Sequence, residues 1–249
     1  MKILASFWNT QEKVQISQEY PLIHQIAFSD NPESYVPNRN SVIIKKQFGE
    51  DNYRLWNLQE TELFLGSSYP SDVLSTFKKL KPYSYKADLA RYCIVNFFGG
   101  IYADLSVNSL RAFSVENYDM VLFRDGNSSR TSWKVGTHFF FSKPNNAVLQ
   151  DSIQQCVKNA LNKYYGWDPH FPTGPSVLGK SVSNFGSDLN ILVGQYYWLR
   201  YRKNKYVLPN NQIIARHKRG GAYLGGQSGV AGGNNYNEMW LNRDIYSNE

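Results

Sequence analysis

Two adjacent glycines, Gly99 and Gly100, divide the most patterned stretch of this 249-residue chain into halves of different period. Before them, from Ser84 to Phe98, Ala87, Ala90, Ile94, Phe97 and Phe98 recur at helical spacing, which predicts an amphipathic helix laid on a core. After them, Ile101, Ala103, Leu105 and Val107 alternate with Tyr102, Asp104, Ser106 and Asn108, so an extended chain points the second set onto one face. Glycine closes the helix because it takes a left-handed C-cap at little cost. A helix that turns at once into a polar-faced strand demands a sheet beside it, and chemistry is expected on that face.

The flanking chain supplies a sheet. Tyr20 to Ser29 reads as a buried first strand, Ser41 to Phe48 as a short helix and Asn52 to Asn57 as a second strand. Asp72 to Leu80 fits a helix, Tyr118 to Arg124 and Gly136 to Ser142 fit core strands, and Pro144 opens a helix reaching Leu161. Strands alternating with helices predict one α/β domain over 1–249 with a mostly parallel central sheet flanked by helices. The loop from Gly166 to Pro175 is stiff and non-regular, the composition of a pocket wall or of a rigid connector. The glycine-rich segment 220–233, followed by an aromatic ending, is read as a mobile lid or as a linker to a docked tail.

Charge and cysteine usage narrow the partners. A net charge of +7 and a pI near 9.2 suit an anionic partner: nucleotide phosphates, an anionic membrane surface or nucleic acid. No recognised nucleic-acid motif accompanies the charge, and no nucleic-acid partner is expected. Cys93 and Cys156 sit among apolar neighbours on predicted helices and read as buried thiols, which implies a reducing, cytoplasmic location. The N-terminal apolar run is too short for a signal peptide or a spanning helix, so the expectation is a soluble or peripheral protein.

Asp88 and Arg91, three apart on the predicted helix, emerge near each other. The turn that follows presents Asp104, so three charged groups and Ser106 meet at one end of the sheet, where open α/β folds bind ligands. His24 and Gln25, polar residues in the first strand, are read either as satisfied core groups, the commoner case, or as groups facing a ligand.

The runs KADLARY and GGIYADLS resemble the signature of the DXD glycosyltransferases of the family 32 type, related to initiating mannosyltransferases and to clostridial glucosylating toxins. The resemblance extends to PLIHQI at 21–26, YRLWN at 53–57, Thr173-Gly174-Pro175, and the ending from Asn235-Tyr236 through Trp240 to Tyr246 that bacterial members share. It implies a GT-A fold and a retaining glycosyltransferase. The enzyme would move a hexose or N-acetylhexosamine from a UDP- or GDP-linked donor to a bacterial surface glycan such as capsule, O-antigen or lipooligosaccharide. The acceptor can be lipid-linked, and the enzyme would sit in the cytoplasm or at the inner face of the membrane.

By the same resemblance Asp88, Arg91 and Asp104 are the catalytic residues, and Asp104, Ser106, Asn108 and His217 the ligands of Mn²⁺ or Mg²⁺. Donor binding falls to His24, Gln25, Phe28, Gly99, Gly100, Tyr102, Gly174 and Lys218. Two positions depart from the pattern. Ser106 replaces the second aspartate of D-x-D, a neutral and weaker ligand, and Ala27 with Phe28 beside it replaces an aromatic that follows H-Q-I in relatives. The first departure raises an alternative: a catalytically silent sugar-nucleotide-binding protein or partner subunit.

Overall fold

The structure, a computed structural model, describes residues 21–29, 39–111, 113–125, 132–199, 204–217 and 234–247. In chain order the elements are β1 (Ile23–Ile26), α1 (Arg39–Phe48), β2 (Tyr53–Trp56), α2 (Leu58–Ser68), α3 (Ser71–Lys79), α4 (Tyr83–Phe98), β3 (Gly100–Ala103) and β4 (Val107–Leu110). Then follow β5 (Met120–Asp125), β6 (Phe139–Ser142), α5 (Ala147–Leu161), α6 (Pro175–Phe185), β7 (Ile191–Tyr197), β8 (Asn204–Val207), β9 (Ile213–His217) and α7 (Tyr236–Leu241). Helix α2 escaped the sequence reading, although Asn57 and Glu60 form a reciprocal capping box at its start. The glycine-rich segment 220–233 and Lys218 lie outside the described residues.

The α/β class holds. Among the described residues nine strands form one sheet in the order β2-β1-β3-β6-β5-β7-β8-β9-β4. Parallel pairing joins β2, β1 and β3, and again β5 and β7; the remaining ladders are antiparallel, so the sheet as a whole is mixed.

The predicted strand from Ile101 to Asn108 is not continuous. It breaks at Asp104 into β3 near one end of the sheet and β4 on the far edge. In a flat sheet those strands would stand about 29 Å apart, six spacings of about 4.8 Å. The chain from Ala103 to Val107 reaches at most about 14 Å. The sheet therefore curls, and the curl carries the end of β9 over the end of β3.

Helices α2 to α6 cover one face around a core that includes Trp56, Phe64, Tyr92, Ile94 and Leu178. On the other face Ile44 and Phe48 of α1 pack with Phe123, Phe139 and Tyr206. Helix α4 is not amphipathic as expected. It is buried along most of its length from Tyr85 to Asn96, while Phe97, expected on the core face, is exposed. Arg91 and Asp88 are therefore enclosed rather than displayed on a solvated surface.

The double glycine is a packing requirement. Gly99 caps α4 with φ +69, and Gly100 has φ +102 where a Cβ would lie 2.4 Å from the Leu22 carbonyl oxygen. Only a residue without a side chain lets β3 start against the chain entering β1. Cys93 and Cys156 are buried free thiols whose pKa is pushed well up by burial. Among the described residues no helix is long and apolar enough to cross a membrane.

Candidate functional site

The site begins with α4, whose register turns Asp88 and Arg91 toward the carboxyl end of β3. Arg91 sits between two carboxylates: its Nη2 lies 3.5 Å from Asp88 Oδ1 and its Nη1 lies 3.4 Å from Asp104 Oδ1. Nη1 also donates to the Thr137 carbonyl at 2.7 Å, Nε donates to the Ala87 carbonyl at 3.0 Å, and the guanidinium lies 4.5 Å from the Tyr102 ring centre. Burial works against its charge, but Tyr102, Asp104 and Asp88 together more than offset burial and hold the group protonated.

Asp88 is the most enclosed of the acids. Thr173 Oγ1 donates to its Oδ2 at 2.9 Å and Thr137 Oγ1 to its Oδ1 at 3.3 Å. Burial pushes its pKa up, opposed by Arg91 and the Thr173 hydroxyl. Gly174 belongs to this wall, because a Cβ there would come within 3.1 Å of Asp88 Oδ2. Tyr92 holds the same turn by donating to the Thr173 carbonyl at 2.9 Å.

Asp104 faces outward, its side chain 31% exposed against 6% for Arg91. Tyr102 donates its hydroxyl to Asp104 Oδ1 at 2.7 Å. Gln25 fixes the backbone beneath, donating to the carbonyls of Ala103 at 3.1 Å and Asp104 at 3.2 Å while Tyr53 donates to its Oε1 at 2.8 Å. Gln25 thus supports the aspartate through the main chain.

Four of the residues expected to bind the donor are engaged by the protein itself. His24 is a core histidine: its Nε2 pairs with the Gly99 carbonyl at 3.0 Å, and Trp56 Nε1 donates to its Nδ1 at 3.3 Å. Burial holds its pKa down at about 4, so it stays neutral and tethers β1 to the glycine turn. Phe28 is buried against the rings of Phe77 and Tyr83. Gly99 and Gly100 let the backbone approach Pro144 and the Leu22 carbonyl closely.

The antiparallel pairing of β4 with β9, which sets Val107 opposite His217, brings Ser106 and His217 together, with Ser106 Oγ 2.7 Å from His217 Nε2. Behind them Leu199 N donates to Asn204 Oδ1, which orients the amide so that Nδ2 donates to the Tyr196 hydroxyl at 2.7 Å. The Tyr196 hydroxyl lies 3.4 Å from His217 Nδ1 and is oriented to donate to it. The tautomer this chain of donors favours carries its proton on Nε2, toward Ser106. Burial lowers the His217 pKa, opposed by Asp104.

Asp104, Ser106 and His217, the described members of the expected metal-binding set, do not by themselves compose a metal site. Among the described residues no three His, Cys, Asp or Glu side chains converge on one point. Ser106 supplies a hydroxyl where the motif expects a carboxylate, and the favoured tautomer of His217 presents an N–H rather than a lone pair. The side chain of Asn108 lies outside the described set.

Sequence reasoning missed Thr137 and His138, which precede β6. His138 lies between the rings of Tyr196 and His217, at 4.5 and 5.4 Å, and its Nδ1 is buried without a hydrogen-bond partner among the described residues. Burial pushes its pKa well down. The polar Thr-His pair leading into Phe-Phe-Phe was the available signal.

Residues 24–128 match the family described as a glycosyltransferase sugar-binding region containing a DXD motif. An uncharacterised glycosyltransferase of Acanthamoeba polyphaga mimivirus is 31% identical over 88 residues, covering 34% of this chain and 35% of the relative. The chain thus spans about a third of the length of the curated relative it matches. Among solved structures, the PaToxG glycosyltransferase aligns with a TM-score of 0.47 and 12% identity over 66% of this chain and 70% of that one.

Proposed function

We propose, from the match of residues 24–128 to the glycosyltransferase sugar-binding region that contains a DXD motif, that this protein transfers a hexose or N-acetylhexosamine from a nucleotide sugar to a glycan acceptor. The observation that carries the reading is the Asp88–Arg91–Asp104 constellation, two carboxylates bridged by one buried guanidinium at the carboxyl end of β3. Carboxylates held rigidly by threonine hydroxyls and arginine are suited to accept hydrogen bonds from sugar hydroxyls, because their lone pairs are already aimed. Asp88 would hold the sugar from inside, and Asp104, the more exposed of the pair, would meet the ribose side of the donor.

The retaining course is part of the proposal. It rests on the resemblance of the motif and on the engagement of Asp88 by three protein groups, which leaves it poorly placed to serve as a proton-abstracting base. A bacterial surface glycan as acceptor rests on the resemblance of the ending from Asn235-Tyr236 through Trp240 to Tyr246 to that of bacterial members.

The test is thermal stabilisation by a panel of UDP- and GDP-sugars, with Mn²⁺, Mg²⁺ and chelator in parallel, followed by transfer assays on the donor that binds. Stabilisation and transfer that disappear in Asp88→Asn and Asp104→Asn support the reading; full activity in both variants overturns the site. A second reading, a silent sugar-nucleotide-binding protein, is favoured by Ser106 and its bond to His217. It predicts metal-independent binding with no turnover for any acceptor.

A further inference from the structure

The loop from Gly166 to Gly174 is not a mere connector, because one end of it forms part of the wall around Asp88. Thr173 donates to the Asp88 carboxylate, and the point where a Gly174 Cβ would stand lies 3.1 Å from Asp88 Oδ2 and 3.3 Å from the His170 carbonyl. The His170 carbonyl thus lines the same turn, its imidazole is near enough for its charge to pull the Asp88 pKa down, and its side chain remains 42% exposed.

The rest of the loop is nailed down rather than free. Lys134, its side chain only 5% exposed, donates from Nζ to Asp168 Oδ2 at 2.6 Å and lies 3.3 Å from His170 Nδ1. Asp168 in turn accepts from the His170 amide at 2.8 Å, and Phe171 N donates to the Asp168 carbonyl at 3.1 Å. Burying a lysine is costly, and here its compensation fixes the imidazole in place. Tyr85 adds a hydrogen bond to the Pro169 carbonyl at 2.7 Å.

On this braced loop stands Trp167, 81% exposed, with its ring 5.9 Å from that of Phe171. Gly166 before it has φ +65, and a Cβ there would lie 2.2 Å from Phe171 Cβ, so the chain spends a left-handed glycine to set the Trp167–Phe171 pair. A tryptophan left in water on a rigid loop presents a flat apolar face, and the neighbouring imidazole presents a hydrogen-bonding edge. A pyranose ring matches that pair: its C–H face lies on an aromatic ring while its rim hydroxyls seek polar partners.

We propose that Trp167 and His170 form the acceptor subsite, in which a sugar unit of the glycan stacks on the indole and gives a hydroxyl to the imidazole beside Asp88. This rests on the glycosyl-transfer reading for its biological meaning, but binding of a free saccharide at the loop is measured independently of it. The probe is a set of disaccharides, maltose, cellobiose, lactose and chitobiose, followed by saturation-transfer NMR on the whole protein without nucleotide.

At least one disaccharide is expected to receive saturation. The signal should fall at least fivefold in Trp167→Ala and in His170→Ala, and persist in Trp167→Phe, which keeps an aromatic face. No binding by any member of the set, or binding unchanged in both alanine variants, overturns the subsite. The glycosyl-transfer reading stands or falls separately on nucleotide-sugar stabilisation of the wild-type protein, so the failure of one is read apart from the failure of the other.

Discussion

Arg91 and Asp104, thirteen residues apart, meet at 3.4 Å because the sheet folds β3 under the end of α4, and the same Arg91 nitrogen donates to the Thr137 carbonyl. One guanidinium thereby ties the helix, the strand end and the segment before β6 into a single rigid unit. It also offsets the repulsion between two carboxylates, which is still felt as the Asp104 charge pushing the Asp88 pKa up while Arg91 pulls it down.

Removing that cation should be felt in both stability and activity. Arg91→Met leaves Asp88 and Asp104 unpaired, one of them deeply buried, and should destabilise by about 3–5 kcal/mol, the range for breaking a buried pair on one side. Arg91→Lys keeps the charge but loses the fork that reaches Asp88, Asp104 and the Thr137 carbonyl together. It should retain more of the fold than the methionine variant yet lose transfer activity about 100-fold, the cost of a misplaced positioning group. Urea unfolding with a transfer assay checks both; wild-type stability in Arg91→Met would show that the pair is not structural.

Thr173 acts on Asp88 through one hydroxyl at 2.9 Å. Thr173→Val keeps the shape and deletes the donor, and should cost about 1–3 kcal/mol because a buried acceptor loses its partner. The Asp88 pKa is already raised by burial, and loss of the hydroxyl raises it further. The ionised form suffers most, so the penalty is larger at pH 7 than at pH 4.5. Thr173→Ser should sit close to wild type. Equal penalties at the two pH values would disconnect the hydroxyl from the carboxylate.

What could be read from the sequence was local. The α4 helix, the glycine turn and the start of β3 showed in the pattern because their period and capping lie within one short window, and Asp88, Arg91 and Asp104 came with them. Thr137 and His138 showed only as a polar pair ahead of an apolar run, since they reach the site through a sheet order in which β6 lies beside β3, and Lys134 reaches Asp168 only from a segment bridged to β5. The break at Asp104 was hidden too, because alternation continues through Val107 although the chain leaves the interior strand β3 there for the edge strand β4. For His24 and Phe28 the difficulty is of another kind. A histidine or phenylalanine in a first strand looks the same whether its partner is a ligand or, as here, Trp56 and Phe77.

The buried histidines set the acid limit of the fold. His24 has its pKa lowered to about 4 from an ordinary 6.5, so between those values the unfolded chain binds the proton and the folded chain does not. Stability from this group is complete above pH 6.5 and is lost as pH falls toward 4, by about 3 kcal/mol in all. His138 and His217 are shifted in the same direction and add to the slope. Urea midpoints measured from pH 7 to pH 4 should fall steadily, and His24→Gln should flatten part of the fall while lowering stability at pH 7. A flat wild-type profile over that range would refute the assignment of His24 as a neutral core group.

Ser106 is the position at which this chain departs from the D-x-D pattern, and it offers a gain-of-function test. In the wild type its hydroxyl faces His217 Nε2 at 2.7 Å, so the second motif position is spent on a protein contact. Ser106→Asp places a carboxylate two residues from Asp104 in the curl that also holds His217, supplying the hard oxygen ligand that Mn²⁺ and Mg²⁺ prefer. The variant should bind Mn²⁺ at least tenfold more tightly than wild type, read by calorimetric titration of the metal alone. Nucleotide-sugar stabilisation should become more sensitive to chelator than it is in the wild type. Its new carboxylate also faces His217, whose pKa should rise toward the ordinary value. If Ser106→Asp binds Mn²⁺ no better than wild type, the weak point of the metal site is not the serine, and the argument moves to the geometry of Asp104, whose Oδ1 is already shared by Arg91 and Tyr102.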